Sequence, residues 1–300
     1  LQFACYSDSA EKIPFVIDFN SRISLSNNDA GTDNTVFGFM AGAALADGSV
    51  ENTLIGDYAG TAITTGDYNT AVGKNALPSE DVGQSSTAIG YSALGSQNTG
   101  SQSHVNNVGV GINTGYYNGT GTNNTWVGSQ AGTGASGQSN SNNVGVGASA
   151  LLSITTGTRN VAVGVGALDD LEANATTGDG NVAVGYAAAG EIDTGSANVA
   201  IGTASLDTAT GAVSDCTLVG TRTGAAINNT AANGTVAVGY YALNDLTSGA
   251  RNTAVGYNSA SILTTGSDNT SLGYSAYLSQ SAGHGNHLGG SHNTFIGSAS

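Results

Sequence analysis

The sequence predicts an all-β chain wound as a parallel β-solenoid of about fifteen coils over residues 34–300, behind a non-repeating cap or adaptor segment at 1–33. Three observations carry this. A glycine-centred motif recurs along the chain, the residues around it keep fixed chemical types, and the composition suits short strands and turns. Of 300 residues 46 are Gly, 27 are charged and 2 are Pro. A chain that is 39% apolar with sparse charge should fold rather than stay disordered.

Fifteen anchor glycines define the repeat: Gly38, Gly56, Gly73, Gly90, Gly111, Gly128, Gly147, Gly164, Gly185, Gly202, Gly220, Gly239, Gly256, Gly273 and Gly297. Their spacing is 17 to 19 residues, with longer intervals of 21, 21 and 24 before Gly111, Gly185 and Gly297. The residue before each is Val, Ile, Leu or Phe, and the residue three before is Thr or Val. Between them stands usually Ala, Gly or Ser, the period-2 alternation of a short strand. The expectation is that the two β-forming columns pack inward on neighbouring coils, while the small residues form a second face that other chains approach. Three residues after the glycine comes Ala, Ser or Thr in every complete copy, suiting a tight interior corner. Asn stands four before the glycine in twelve copies, the exceptions being Ser86, Cys216 and Thr235.

Such a unit cannot bury its apolar side alone and must stack. The structural residues expected to set the turns and an amide ladder are Asn69 with Gly73, Asn160 with Gly164, Asn198 with Gly202, and Asn252 with Gly256. An aliphatic-glycine step appears once per coil, not three times, and the intervals break a sixfold period. That argues against a hexapeptide acyltransferase helix. A thin coil buries little area per ordered residue, so lateral association is expected. Trp126 and Phe295 replace the small strand residue, which implies a pocket or a subunit contact at each.

The columns Asn-(Thr/Val)-Ala-(Val/Ile)-Gly-x-x-Ala, as in NTAVGKNAL (69–77) and NVAVGVGAL (160–168), resemble the head repeats of trimeric autotransporter adhesins and related repeats in bacteriophage tail fibres. The resemblance spans about 34–300. It implies a left-handed β-roll, a homotrimer and a role in attachment to a host-surface glycan or protein receptor, outside the cell or on a virion, or alternatively on a bacterial surface. The longer coils with Thr-Thr-Gly before the Asn, as in TTGDYNTAVGKNAL, look more like the fibre variants. The start at Leu1 and the stop in mid-repeat at Ser300 read as a processed or cut chain, with the solenoid incomplete at its C-terminal end.

Function classes narrow further. A formal charge of −15 is the wrong sign for binding nucleic acid. No apolar run approaches the length of a membrane span. Catalysis is not expected. The five Glu sit at unrelated places in their coils, no His lies in a regular coil, and no Gly-Lys-Ser/Thr follows the glycines. No cofactor is implied; the candidate ligands for a divalent metal are His284, His287 and His292, which threefold symmetry would multiply near one end. His104 stands alone, and Asp169, Asp170 and Glu172 form an acidic group without an EF-hand pattern. Tyr91, Tyr186, Tyr240, Tyr257 and Tyr274 follow anchor glycines directly. They are candidate receptor or glycan contacts, or a ladder that supports itself; Tyr116 and Tyr117 are similarly placed between roles. The expected function is a non-enzymatic attachment-fibre shaft. The alternative is a self-assembling filament or surface-layer fibre. Ice binding would need an outward Thr array, whereas the Thr column reads as inward.

Overall fold

The structure, a computed structural model, describes residues 21–24, 31–169, 178–209, 211–277 and 290–299. It is an all-β parallel solenoid. One sheet of sixteen strands runs strictly in chain order. The first, β1 (Ser21–Ser24), pairs antiparallel with β2 (Thr35–Phe39). From β2 onward fifteen strands are parallel, the later ones three residues each, from Thr53–Ile55 to Thr294–Ile296. A 3-10 turn at Thr230–Ala232 is the single helical piece among the described residues.

Register follows the repeat without slippage. Thr70, Ala71 and Val72 lie opposite Thr87, Ala88 and Ile89, and the same columns meet at every parallel pairing. Strands this short hold because the ladder continues around the corners. The Asn75 amide donates to the Asp57 carbonyl (2.8 Å), Gly60 to Ala76 (2.9 Å) and Leu77 to Ala93 (3.0 Å). Coil-to-coil pairing thus satisfies backbone groups that a three-residue strand would leave open.

The anchor glycines have φ between 128° and 142°, a region closed to other residues. Space excludes a side chain as well. A Cβ on Gly73 would stand 2.6 Å from the carbonyl oxygen of Gly90, backbone against backbone. Beyond glycine, 36 described residues have positive φ, and all fall at three fixed places: five before the anchor glycine, two after it and four after it. Leu77, Leu94, Leu151, Leu168, Leu206 and Leu243 are among them, at φ from 49° to 55°. Leucine rarely adopts this conformation. It does so here because the turn puts its side chain into the core, where all six are fully buried.

The inward face differs from the sequence expectation. Ala71, Ala88, Ala162 and Ala200, the small middle residues, are the buried ones, while the flanking Thr/Val and Val/Ile columns point outward and stay partly exposed. The coil is too narrow for a bulky strand residue together with a Leu four after the glycine. The sheet supplies the small partner, and the opposite wall supplies Leu four after the glycine and Ile or Leu seven after it, as Ile63, Ile154, Ile192, Ile227, Leu246 and Leu263. The small strand residues are therefore interior and cannot contact another chain, and the Thr column is outward, not inward.

Where the strand residue is large, the opposite wall gives way. Leu54 faces Gly60 and Leu218 faces Gly224. Trp126 is fully buried, between Gly115 and Gly132: a Cβ on Gly115 would lie 2.5 Å from its ring, and one on Gly132 would overlap the indole. Strand neighbours Gly109 and Gly145 complete the space. The expected pocket or subunit contact at Trp126 is thus absent, because glycines in adjoining coils supply the room. Phe295, on the last described strand, is half-buried and packs edge-on against Tyr277 with centroids 4.4 Å apart.

Gly73→Ala is expected to destabilise the rod by ~2 kcal/mol or more, combining a forbidden φ with a backbone overlap. Ser129→Ala, exposed one place after an anchor glycine, should stay within ~0.5 kcal/mol of wild type. Denaturation followed by circular dichroism checks both, and equal behaviour of the two variants would contradict close stacking at the glycines.

Candidate functional site

Two systems stand out on this scaffold, an amide ladder inside and an aromatic array outside. In the ladder, a typical Asn accepts at Oδ1 from the next coil and donates from Nδ2 to a carbonyl in that coil, fourteen to twenty-one residues ahead. Asn143 Oδ1 accepts from the Asn160 amide (2.9 Å), Asn160 Oδ1 from Asn181 (2.9 Å), and Asn160 Nδ2 donates to the Gly178 carbonyl (2.8 Å). Asn69, Asn198 and Asn252 do the same with their neighbours. These side chains are almost wholly buried, so each bond replaces one that water can no longer make.

The three exceptions to the Asn column are repaired individually. At Ser86, the side chain of Gln97 enters the core, donating to Ser86 Oγ (2.9 Å) and accepting from Asn107 Nδ2 (2.9 Å). Gln97 also donates to Glu80 (3.0 Å), a fully buried carboxylate held further by the Gly83 amide and Thr99. Glu80 and Gln97 occupy the position seven after the glycine that Ile63 and Ile154 hold elsewhere. At Cys216 the thiol donates to the carbonyls of Ser214 and Ala232, and Thr235 Oγ1 donates to Ala232. Burial pushes the Cys216 thiol above its ordinary pKa, so it stays neutral.

The titratable candidates lie apart. His284 and His287, with Asp170 and Glu172, fall outside the described residues. His292 is exposed, 3.9 Å from Asp268, and His104 meets Ser85 Oγ at 2.8 Å. Among the described residues no group of three His, Cys, Asp or Glu is arranged to hold a metal ion. Asp169 lines a cleft of about 210 Å³ with Glu191, Asp207 and Tyr186. Burial raises the Asp207 pKa, against an opposing pull from Arg222.

The five tyrosines divide three ways. Tyr240, Tyr257 and Tyr274, on successive coils, stack at 5.1 and 5.4 Å with interplanar angles of 14° and 9°. Their faces cover one another, and Tyr241 leans on the first of them at 4.3 Å. Tyr186 projects alone from the acidic cleft, 64% exposed. Tyr91 instead joins Tyr116 and Tyr117 around an open cleft of about 390 Å³, with Ser92, Asn113 and Gln130 on its floor and rim. Tyr116 and Tyr117 meet edge-to-face at 4.7 Å. Ser92, Asn113 and Gln130 each stand two after an anchor glycine, in the left-handed conformation that aligns them on one side of three successive coils. Sequence reasoning found the tyrosines and missed these three. The signal was present as a column of mixed polar types two after the glycine, whose positive φ becomes visible only with coordinates.

Two outcomes are expected. Asn160→Ala should cost roughly 2–3 kcal/mol, because it leaves both the Asn181 amide and the Gly178 carbonyl unpaired; urea denaturation measures it, and a loss below ~0.5 kcal/mol would speak against the ladder. In a Cys5→Ser chain, Ellman's reagent should detect no thiol at neutral pH until denaturant is added, since Cys216 is buried and neutral.

No protein-family model, no curated protein and no solved structure matches the chain.

Proposed function

We propose that this chain is a non-enzymatic shaft segment of a homotrimeric attachment fibre, acting outside the cell or on a virion. The observation that carries the proposal is the outward aliphatic column. Phe37, Ile89, Val163, Ile201, Val238, Leu272 and their equivalents stand partly exposed beside the Thr/Val column along all fifteen parallel strands. At about 4.8 Å per strand this stripe is on the order of 70 Å long and 10 Å wide, or ~700 Å². Monomers rarely leave so large a continuous apolar surface bare, and the area is near what each partner contributes to a standard interface. Three copies packed by these faces would bury it around a common axis. The likeness to adhesin heads and tail-fibre repeats supports the same arrangement and the attachment role, with a host-surface glycan or protein as receptor. Among the described residues no helix is long and apolar enough to cross a membrane.

The antiparallel strand β1 over the edge of β2 favours a discrete rod over an end-to-end filament, because a covered edge offers no template for strand addition. An ice-binding face would also be outward, but it would leave the chain monomeric, and here one of its two columns is wholly apolar.

Sedimentation equilibrium is expected to give three times the chain mass, and Val163→Asp with Val238→Asp should yield monomers. Labelled protein should adsorb to some members of a panel of intact bacteria and isolated envelopes. A monomeric wild type, or adsorption to none of the panel, would overturn the proposal.

A further inference from the structure

We propose that the cleft walled by Tyr91, Tyr116 and Tyr117 binds a neutral sugar of one or two pyranose rings. The inference rests on the attachment reading and supplies the chemistry of its ligand. The cleft volume, about 390 Å³, is at the lower end of the range for small-molecule sites. Its lining carries no Asp, Glu, Lys or Arg. What it offers is aromatic surface next to hydrogen-bonding groups, which suits a ligand with apolar C–H faces and a rim of uncharged hydroxyls. Among the described residues the side-chain amides of Asn113 and Gln130 have no hydrogen-bond partner, so both donors and acceptors remain for vicinal hydroxyls. A net charge of −15 disfavours sulfated or carboxylated saccharides.

The site is held in shape before any ligand arrives. The Tyr116 ring lies over Gly95, where a Cβ would be 2.5 Å from Cε2. The Tyr117 amide donates to the Thr133 carbonyl (2.9 Å), Asn113 to Tyr91 (3.0 Å) and Gln130 to Ile112 (2.8 Å). Little backbone entropy is left to lose on binding. The aromatic pair also breaks the repeat: the corresponding places elsewhere hold small residues such as Ala43–Ala44, Gly95–Ser96 and Ala225–Ala226. The other tyrosines that directly follow an anchor glycine lack the combination. Tyr240, Tyr257 and Tyr274 have their faces stacked, and Tyr186 stands among carboxylates. A trimer would carry three such clefts, and avidity would compensate for weak single-site affinity.

Saturation-transfer difference NMR on the full chain tests this with methyl glycosides of glucose, galactose, mannose, N-acetylglucosamine and N-acetylgalactosamine, and with glucuronate and N-acetylneuraminate as anionic comparators. At least one neutral glycoside should receive saturation. Its affinity should fall tenfold or more in Tyr117→Ala and in Gln130→Ala, be largely retained in Tyr117→Phe, and be unchanged in Tyr257→Ala. Circular dichroism verifies that each variant is folded. Transfer to no neutral glycoside, preference for the anionic sugars, or binding indifferent to Tyr117→Ala and Gln130→Ala would each overturn the proposal. If trimers still adsorb to cells while the sugar experiment fails, or if they capture only a protein receptor, the cleft assignment falls and the fibre reading stands.

Discussion

At each anchor glycine the backbone of one coil lies against the backbone of the next, with φ near 130–140° and no room for a methyl group between Gly73 and the Gly90 carbonyl. The repeat is the consequence of this contact. Because the glycines superimpose, intervals of 17 and 21 residues coexist in one unslipped sheet. The same contact fixes where the outer side chains stand, and so governs both the aliphatic stripe and the tyrosine cleft.

The narrowness of the coil then decides the core. A strand contributing Ala is opposed by Leu or Ile, a strand contributing Leu or Trp is opposed by Gly, and Trp126 borrows space from the coils on either side. Volume is thus conserved across the wall rather than within a column. Where Glu80 and Gln97 enter instead of Ile, the interior stays satisfied because they supply the amide contacts that Ser86 lacks. The cost of leucines in the left-handed conformation is met by their burial, along with the coil-to-coil hydrogen bonds on each side.

The repeat, the parallel stacking, the glycine corners and the Asn spacing were legible in the sequence, since each is a column of one residue type. The direction of the strand faces was not. Thr-Ala-Val alternates equally well with either face inward, and the choice depends on the width of the coil, which is a property of the closed turn rather than of the strand. Trp126 misled for a related reason: the glycines that accommodate it belong to other coils, at Gly115 and Gly132. The tyrosine column was visible, yet its division into a stacked ladder, a lone ring and a cleft depends on neighbours such as Asn113 and Gln130, which no column of identical residues marks.

The outward direction of the aliphatic column, and its use in joining chains, is tested most directly by pulsed dipolar spectroscopy on a Val163→Cys chain spin-labelled in a Cys5→Ser background, where buried Cys216 takes no label. A narrow inter-chain distance with the modulation depth of three coupled spins is expected. A label that couples to no other, or one that cannot be attached because the site is enclosed within its own coil, would contradict the account.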